Sequence, residues 1–392
     1  MSYYVTKINE NGDIAVDDTL LVKGVPAAAG SKILEGFEPL FSAEAVVRLE
    51  NAGYTVSGKT KVGEFGLDLV GEFGVDENST LKGAAAEAVA GDEVAGALGV
   101  DLNGAPRRAA ALSGVNFIKP TYGTVSRYGV IAAACSGEQV GVYAKTVKGT
   151  AALLSVIAGH DAKDGTSLAN DSYDYDTDLE VKGSKVCIIE ELFDAADDTV
   201  KSKVNAFAEI LKSNGVEVKT VSFKTVFEAQ AAWQILMSAE TCNNLSRYDG
   251  VKFGYRTPNY NNIDELYVNT RTEGMNFLTK ATVLYGSNAL SKGKYTECYD
   301  KSLKVRRVVY DKVKELFGSF DAILAPVMGT ADYEPYSIND AFLKVYGESL
   351  FTAIPNLIGI PALVSGGVQL MGNHFDESML LSLASKVERS GK

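Results

Sequence analysis

Apolar and polar positions along this chain follow two periods, and the clearest stretch runs from 184 to 222. Val186–Ile189 is a short apolar run of strand length. Val200, Val204, Phe207 and Leu211 then recur at steps of four, three and four, which predicts a helix over Asp198–Leu211 with one buried stripe. Asn214-Gly215 stops it and Val216–Val221 returns as a strand. Strand, helix and strand in this order are the βαβ unit of an α/β sheet. Ala45, Val46 and Leu49 predict another helix, with Ser42 placed to cap it, Gly53 to end it and Tyr54–Ser57 as the strand beyond. The alanine-rich run up to Gly91 favours a helix by propensity. Val115–Ile118 reads as a strand, Thr146–Ile157 as an amphipathic helix, and 300–317 as a helix leading to strand Ala322–Leu324. At the N-terminus, Tyr3–Ile8 and Asp13–Val16 flank Asn11-Gly12, a two-residue turn signal that predicts a β-hairpin. A near-repeat, GEFGLDLV (63–70) and GEFGVDEN (71–78), has the form of a compact hairpin.

Composition narrows the function classes. The chain has 392 residues, 46% hydrophobic and 22% charged, as in ordinary globular proteins. Its net charge of −12 argues against nucleic acid as a direct ligand. Four scattered cysteines (Cys135, Cys187, Cys242, Cys298) form no CxxC pair, which points to a reducing compartment and away from a zinc site. No apolar stretch approaches membrane-spanning length, and the first residues lack a basic-then-apolar signal, so the expected location is the cytoplasm. Only His160 and His374 are available to any histidine-dependent chemistry. No metal-ligand spacing, P-loop or GxGxxG is present, and no cofactor is implied.

The densest motifs lie between Asp101 and Val130: DLNGAPRRAAALSGVNFIKPTYGTVSRYGV. Lys119-Pro-Thr-Tyr-Gly and Val125-Ser-Arg-Tyr-Gly129 stand near its end. Further on come AGHDAKDGTSL, Asn244-Leu-Ser-Arg-Tyr-Asp-Gly, NTRTEG at 269–274, Lys304-Val-Arg306, Ile354-Pro-Asn-Leu-Ile-Gly-Ile-Pro361 and Gly367-Val-Gln-Leu. Taken in order, these resemble the amidase signature family, and within it the glutaminase subunit of tRNA-dependent amidotransferases. The resemblance implies an α/β fold: one large mixed β-sheet with helices on both faces. It divides the chain into a divergent N-terminal segment, 1–30, and an amidase-signature-like domain, 31–392.

The family hydrolyses amides with a Lys–Ser–Ser triad. Its GKTNMDEF motif is matched by Gly58-Lys59-Thr60, so the resemblance assigns the family's base to Lys59. Its nucleophile is the serine of GGSIR. With Asp101 and Gly104 in register, that position here is Ala105, whose methyl group cannot attack an amide. The second serine, from a Ser-Gly-rich loop absent here, falls near Leu81. Several dozen family residues between the lysine and that loop are also missing, so the sheet is expected to be trimmed around the former active site. Arg306 matches the arginine that grips the carboxylate of the substrate. Asn103 and Gly104 occupy the loop that offers N–H groups to the oxyanion, where Pro106 removes one donor. Losing a triad nucleophile costs catalysis on the order of a million-fold.

The expected function is therefore that of a non-catalytic homologue, a pseudo-amidase that binds or scaffolds. Its partners would be a subunit-B-like protein or a small carboxylate or amide ligand. The alternative is an active amidase or glutamine amidotransferase subunit with a shifted nucleophile, Ser79, Thr80 or Cys135, and Lys59 as base. For Arg107 and Arg108, phosphate binding stands against a salt bridge within the fold, and the salt bridge is the plainer account.

Overall fold

The computed structural model describes residues 3–70, 82–334, 336–337 and 339–391. The near-repeat's second half and the positions Ser79, Thr80 and Leu81 lie outside the described residues.

One mixed sheet runs through the described chain. Its strands are β1 (Tyr4–Lys7), β2 (Ile14–Asp17), β3 (Val56–Thr60), β4 (Gly96–Asp101), β5 (Asn116–Lys119), β6 (Gln139–Ala144), β7 (Lys185–Ile189), β8 (Glu217–Val221), β9 (Ala322–Ala325), β10 (Ala362–Ser365) and β11 (Val368–Met371). Their order across the sheet is β1-β3-β2-β4-β6-β5-β10-β11-β9-β7-β8. The helices are α1 (Glu44–Asn51), α2 (Ala84–Ala90), α3 (Ala105–Ser113), α4 (Val147–Ile157), α5 (Glu190–Asp194), α6 (Asp198–Ser213), α7 (Thr225–Leu245), α8 (Ile263–Gly274), α9 (Phe277–Leu290), α10 (Lys301–Phe317), α11 (Ala341–Ile358) and α12 (Glu377–Ser390). Two buried cores lie on opposite faces of the sheet. One gathers apolar residues of α2, α3, α7 and α11, the other those of α1, α4, α6 and α12. Among the described residues no helix is long and apolar enough to cross a membrane.

The βαβ reading of 184–222 holds. β7 and β8 pair in parallel, and α6 buries Val200, Val204, Phe207 and Leu211. Asp197 caps α6 by accepting from the Val200 N–H at 2.7 Å. Three local expectations do not hold. The predicted N-terminal hairpin is absent: β1 pairs antiparallel with β3, and β2 lies on the other side of β3 in parallel. The Asn11-Gly12 turn connects the two strands, but β3 is inserted between them and takes the hydrogen bonds of both. Ser42 does not cap α1 either. Its hydroxyl accepts from the Lys23 N–H at 3.0 Å, and Ala43 holds the cap position without a side-chain bond. The first half of the near-repeat contains a short 3-10 turn, Glu64–Gly66, rather than a strand.

Candidate functional site

Strand β4 ends at Asp101, and the chain turns through Leu102-Asn103-Gly104 into α3. A buried carboxylate and a buried guanidinium hold this turn. Arg107 pairs with Asp101 through two bonds, Nε to Oδ2 at 2.7 Å and Nη2 to Oδ1 at 3.2 Å. Its remaining N–H groups reach the Asn356 Oδ1 at 2.5 Å, the Gln369 Oε1 at 3.1 Å and the Thr352 carbonyl at 3.0 Å. Asn356 returns a bond from Nδ2 to the Asp101 carboxylate at 2.9 Å. Loss of water alone would raise the Asp101 pKa, but Arg107 and Asn356 outweigh it and hold the carboxyl below its usual value. The salt-bridge reading of Arg107 is therefore the one realised, with no face left for phosphate.

The same network fixes the backbone of the Leu102-Asn103-Gly104 turn. The Gly104 N–H donates to the Asp101 Oδ1 at 3.0 Å, so that donor is already committed. Gly104 sits at φ 84°, and a Cβ there would come within 2.4 Å of the Thr352 methyl, so only glycine fits. Asn103 is buried; its Oδ1 accepts from the Trp233 Nε1 at 3.2 Å, and its carbonyl accepts from Arg108 at 2.9 Å and from the Thr352 hydroxyl at 3.1 Å. Arg108, also buried, adds bonds to the Leu69 carbonyl at 2.7 Å and the Thr352 hydroxyl at 3.1 Å. Trp233 reaches Asn103 because it packs over Gly137, where any Cβ would collide with the indole. Asn103 and Gly104 are thus turned into the protein.

Beside the start of α3 lies a cavity of about 30 Å³. Among the described residues it is lined by Ala105, Pro106, Gly83, Tyr143, Lys61 and Asp17, with six further residues around them. That is room for about one water molecule, whereas sites for small organic ligands usually enclose about 300 Å³ or more. Lys59 does not line it. Strand β2 stands between β3, which carries Lys59, and β4, which leads to Ala105. The Lys59 ammonium is buried against Asp18 instead, 3.1 Å from its Oδ1 and 3.3 Å from its carbonyl. Burial lowers the Lys59 pKa, and Asp18 opposes the shift. The motif match that assigns the family's base to Lys59 thus falls on an ammonium paired with Asp18.

Asp17, a buried carboxylate that lines the cavity with Ala105 and the buried Tyr143, lies outside the motifs. One carboxylate oxygen accepts from the Thr19 N–H and hydroxyl, both at 2.9 Å, and the other accepts from the Val100 N–H at 3.4 Å. Burial, assisted by neighbouring Asp18, still pushes its pKa up from 3.8 to about 6. The signal in the sequence was the adjacent pair Asp17-Asp18 ending the apolar run Ile14–Val16. Lys119 of the KPTYG motif is a second buried ionisable group. Loss of water pulls it down to about 7 against the opposing charge of Asp101.

The remaining candidates lie elsewhere. Cys135 is half-buried; Asn244 donates to its sulfur at 3.5 Å, and burial together with Glu138 raises its pKa, which disfavours the thiolate a nucleophile needs. Arg306 is on α10, where it acts on Tyr299 together with Glu240. Arg306 is half-buried there and makes no ion pair among the described residues. His160 follows α4 and its Nδ1 lies 3.0 Å from the Leu168 carbonyl. Among the described residues no group of three His, Cys, Asp or Glu side chains is placed to hold a metal ion.

Comparison with known proteins covers nearly the whole chain. Residues 13–381 match the family model described as Amidase, a span that takes in β2 and Asp17. The chain is 35% identical over 396 residues to the A-type subunit of glutamyl-tRNA(Gln) amidotransferase from Persephonella marina, covering 95% of this chain and 82% of that protein. The corresponding protein from Halothermothrix orenii is also 35% identical, over 96% of this chain and 84% of its own length. The solved structure of the same A-type subunit from Thermotoga maritima superposes with a TM-score of 0.78 at 26% identity, covering 99% of this chain and 86% of that one. A peptide amidase from Stenotrophomonas maltophilia shares the fold, with a TM-score of 0.77 at 23% identity over 97% of this chain and 82% of its own.

Proposed function

This chain belongs to the amidase family, and we propose that it is a member without amide-hydrolysing chemistry of its own, acting in the cytoplasm by binding a protein partner. One observation carries the reading. The nucleophile position is Ala105, beside a water-sized cavity that buried Asp17 and Tyr143 also line, with Lys59 turned to Asp18. Acyl transfer needs a nucleophile, a base within hydrogen-bond reach and free donors for the oxyanion. At this site the first is a methyl group, the second points elsewhere, and the Gly104 donor is occupied by Asp101.

The relatives are named as subunits, which gives a subunit-B-like protein as the partner, consistent with the retained Asn244–Gly250 motif. A shifted nucleophile is the competing account. Incubating the purified chain with an amide-directed electrophile and measuring intact mass separates the two. No adduct is expected; a stoichiometric adduct mapping to Cys135, Ser79 or Thr80 would replace this reading with an active enzyme. Co-expression with a subunit-B-like protein, followed by gel filtration, checks the partner, with co-elution expected.

A further inference from the structure

The chain as a whole is acidic, but residues 280–314 are not. They contain nine lysines and arginines against three acids, a net +6 within a chain of net −12. This stretch is the end of α9, the connection after it and most of α10. Its exposed side chains are also unusually apolar: Leu284 is 70% exposed, Val308 50%, Tyr295 47% and Leu303 40%. Three of the basic groups are neutralised by neighbours on the same helical stretch, Lys294 by Glu297, Lys304 by Asp300 and Arg307 by Asp311. The others make no ion pair among the described residues.

Along α10, Lys301, Lys304, Val308, Lys312 and Glu315 recur at steps of three and four, so they form one exposed stripe. The stripe leads into an open groove of about 550 Å³ between the C-terminal end of α10 and the start of α7. Phe223, Leu316 and Phe320 supply its apolar lining, and Lys224 and Lys312 its positive charge. Lys312 is held in place by donating to the Thr225 hydroxyl at 3.1 Å. Two acids face the same region. Glu315 lines the groove, and Glu191 is occupied by accepting from the Ser222 hydroxyl and the Phe223 N–H.

We propose that this face docks an acidic protein segment bearing large apolar side chains, with carboxylates along the α10 stripe and a leucine or aromatic ring in the groove. The inference deepens the partner reading above and rests on it. Charge complementarity selects an acidic occupant. The exposed Val308 on the stripe, and a groove lined by phenylalanine and leucine, select protein over nucleic acid. A polyanion would also meet the excess negative charge carried by the rest of the chain.

The test uses the purified full-length chain and three fluorescent probes of equal charge: a short peptide alternating glutamate with leucine and phenylalanine, a glutamate-only peptide, and a single-stranded RNA. Saturable binding of the first is expected. It should weaken by about tenfold in the Lys224→Glu/Lys312→Glu double variant, by about as much in Val308→Asp, and on raising the salt. No binding of the mixed peptide, or equal binding by the double variant, overturns the proposal. Equal binding of the glutamate-only peptide removes the groove from the account, and tighter binding of RNA reassigns the face to nucleic acid. Each substituted side chain is exposed, and circular dichroism confirms that the variants fold. A chain that releases ammonia from glutamine would fail the non-catalytic reading without altering these titrations, so the two failures are read separately.

Discussion

Two buried charged clusters flank the start of α3, and they have opposite characters. On one side Asp101 and Arg107 are buried with a two-bond ion pair, and Asn356, Gln369 and the Thr352 carbonyl use up what remains. Asp101 is held below its usual pKa there. On the other side Asp17 has three donors but no cation bonded to it, and its pKa rises to about 6. A low-dielectric site tolerates charge when geometry compensates for lost water, and only the first cluster does so fully. The first cluster ties α3, α11 and β11 together, while the second borders the space where a reaction would occur. The polar network that builds the turn is complete, and the residue that follows it, Ala105, presents only a methyl group.

The comparison can be broken at several points, beginning with the largest effect. Arg107→Met leaves Asp101 buried without its partner, and a loss of about 3–5 kcal/mol in urea unfolding is expected. A change under about 1 kcal/mol would mean that Asn356 and Gln369 alone hold the turn. Lys59→Met should cost about 2–4 kcal/mol, because Asp18 is left buried and unpaired.

Asp17→Asn should act in the other direction at neutral pH. The folded chain binds the Asp17 proton more tightly than the unfolded chain, since the pKa rises from 3.8 to about 6. Its contribution to stability is full below about pH 4 and is lost as the pH climbs through about 6. Removing the ionisable group should therefore stabilise the protein by about 1–3 kcal/mol at pH 7 and flatten that part of the stability–pH curve. An unchanged curve would show that Asp17 is solvated or paired in solution. The smallest effect belongs to Asn103→Ala, which removes the bond from Trp233 and also a buried Nδ2 that has no partner. These oppose each other, so a net change of about 1 kcal/mol or less is expected in thermal unfolding.

The parts of this molecule that could be read from residues alone were those set by local periodicity. The α6 stripe of Val200, Val204, Phe207 and Leu211 is buried as its spacing required. The fold followed from the ordered motifs, and Ala105 stands at the start of α3 beside the cavity. Errors arose where long-range pairing decides. Asn11-Gly12 is a sound turn signal, but nothing local announces that Val56–Thr60 will insert between the strands it joins. Which buried groups come near position 105 likewise depends on sheet order, with β2 placed between β3 and β4. Asp17 becomes a member of the site only once that order is known. The bond from Trp233 to Asn103 spans 130 positions, and no sequence spacing predicts it.

Ammonia release from glutamine and asparagine by the purified chain, run beside Ala105→Ser and Lys59→Ala, tests the central claim most directly. The account predicts no release by the wild-type chain, and none by Ala105→Ser, because a serine at 105 would face Asp17 with Lys59 directed at Asp18. Release by the wild-type chain that disappears in Lys59→Ala would contradict it.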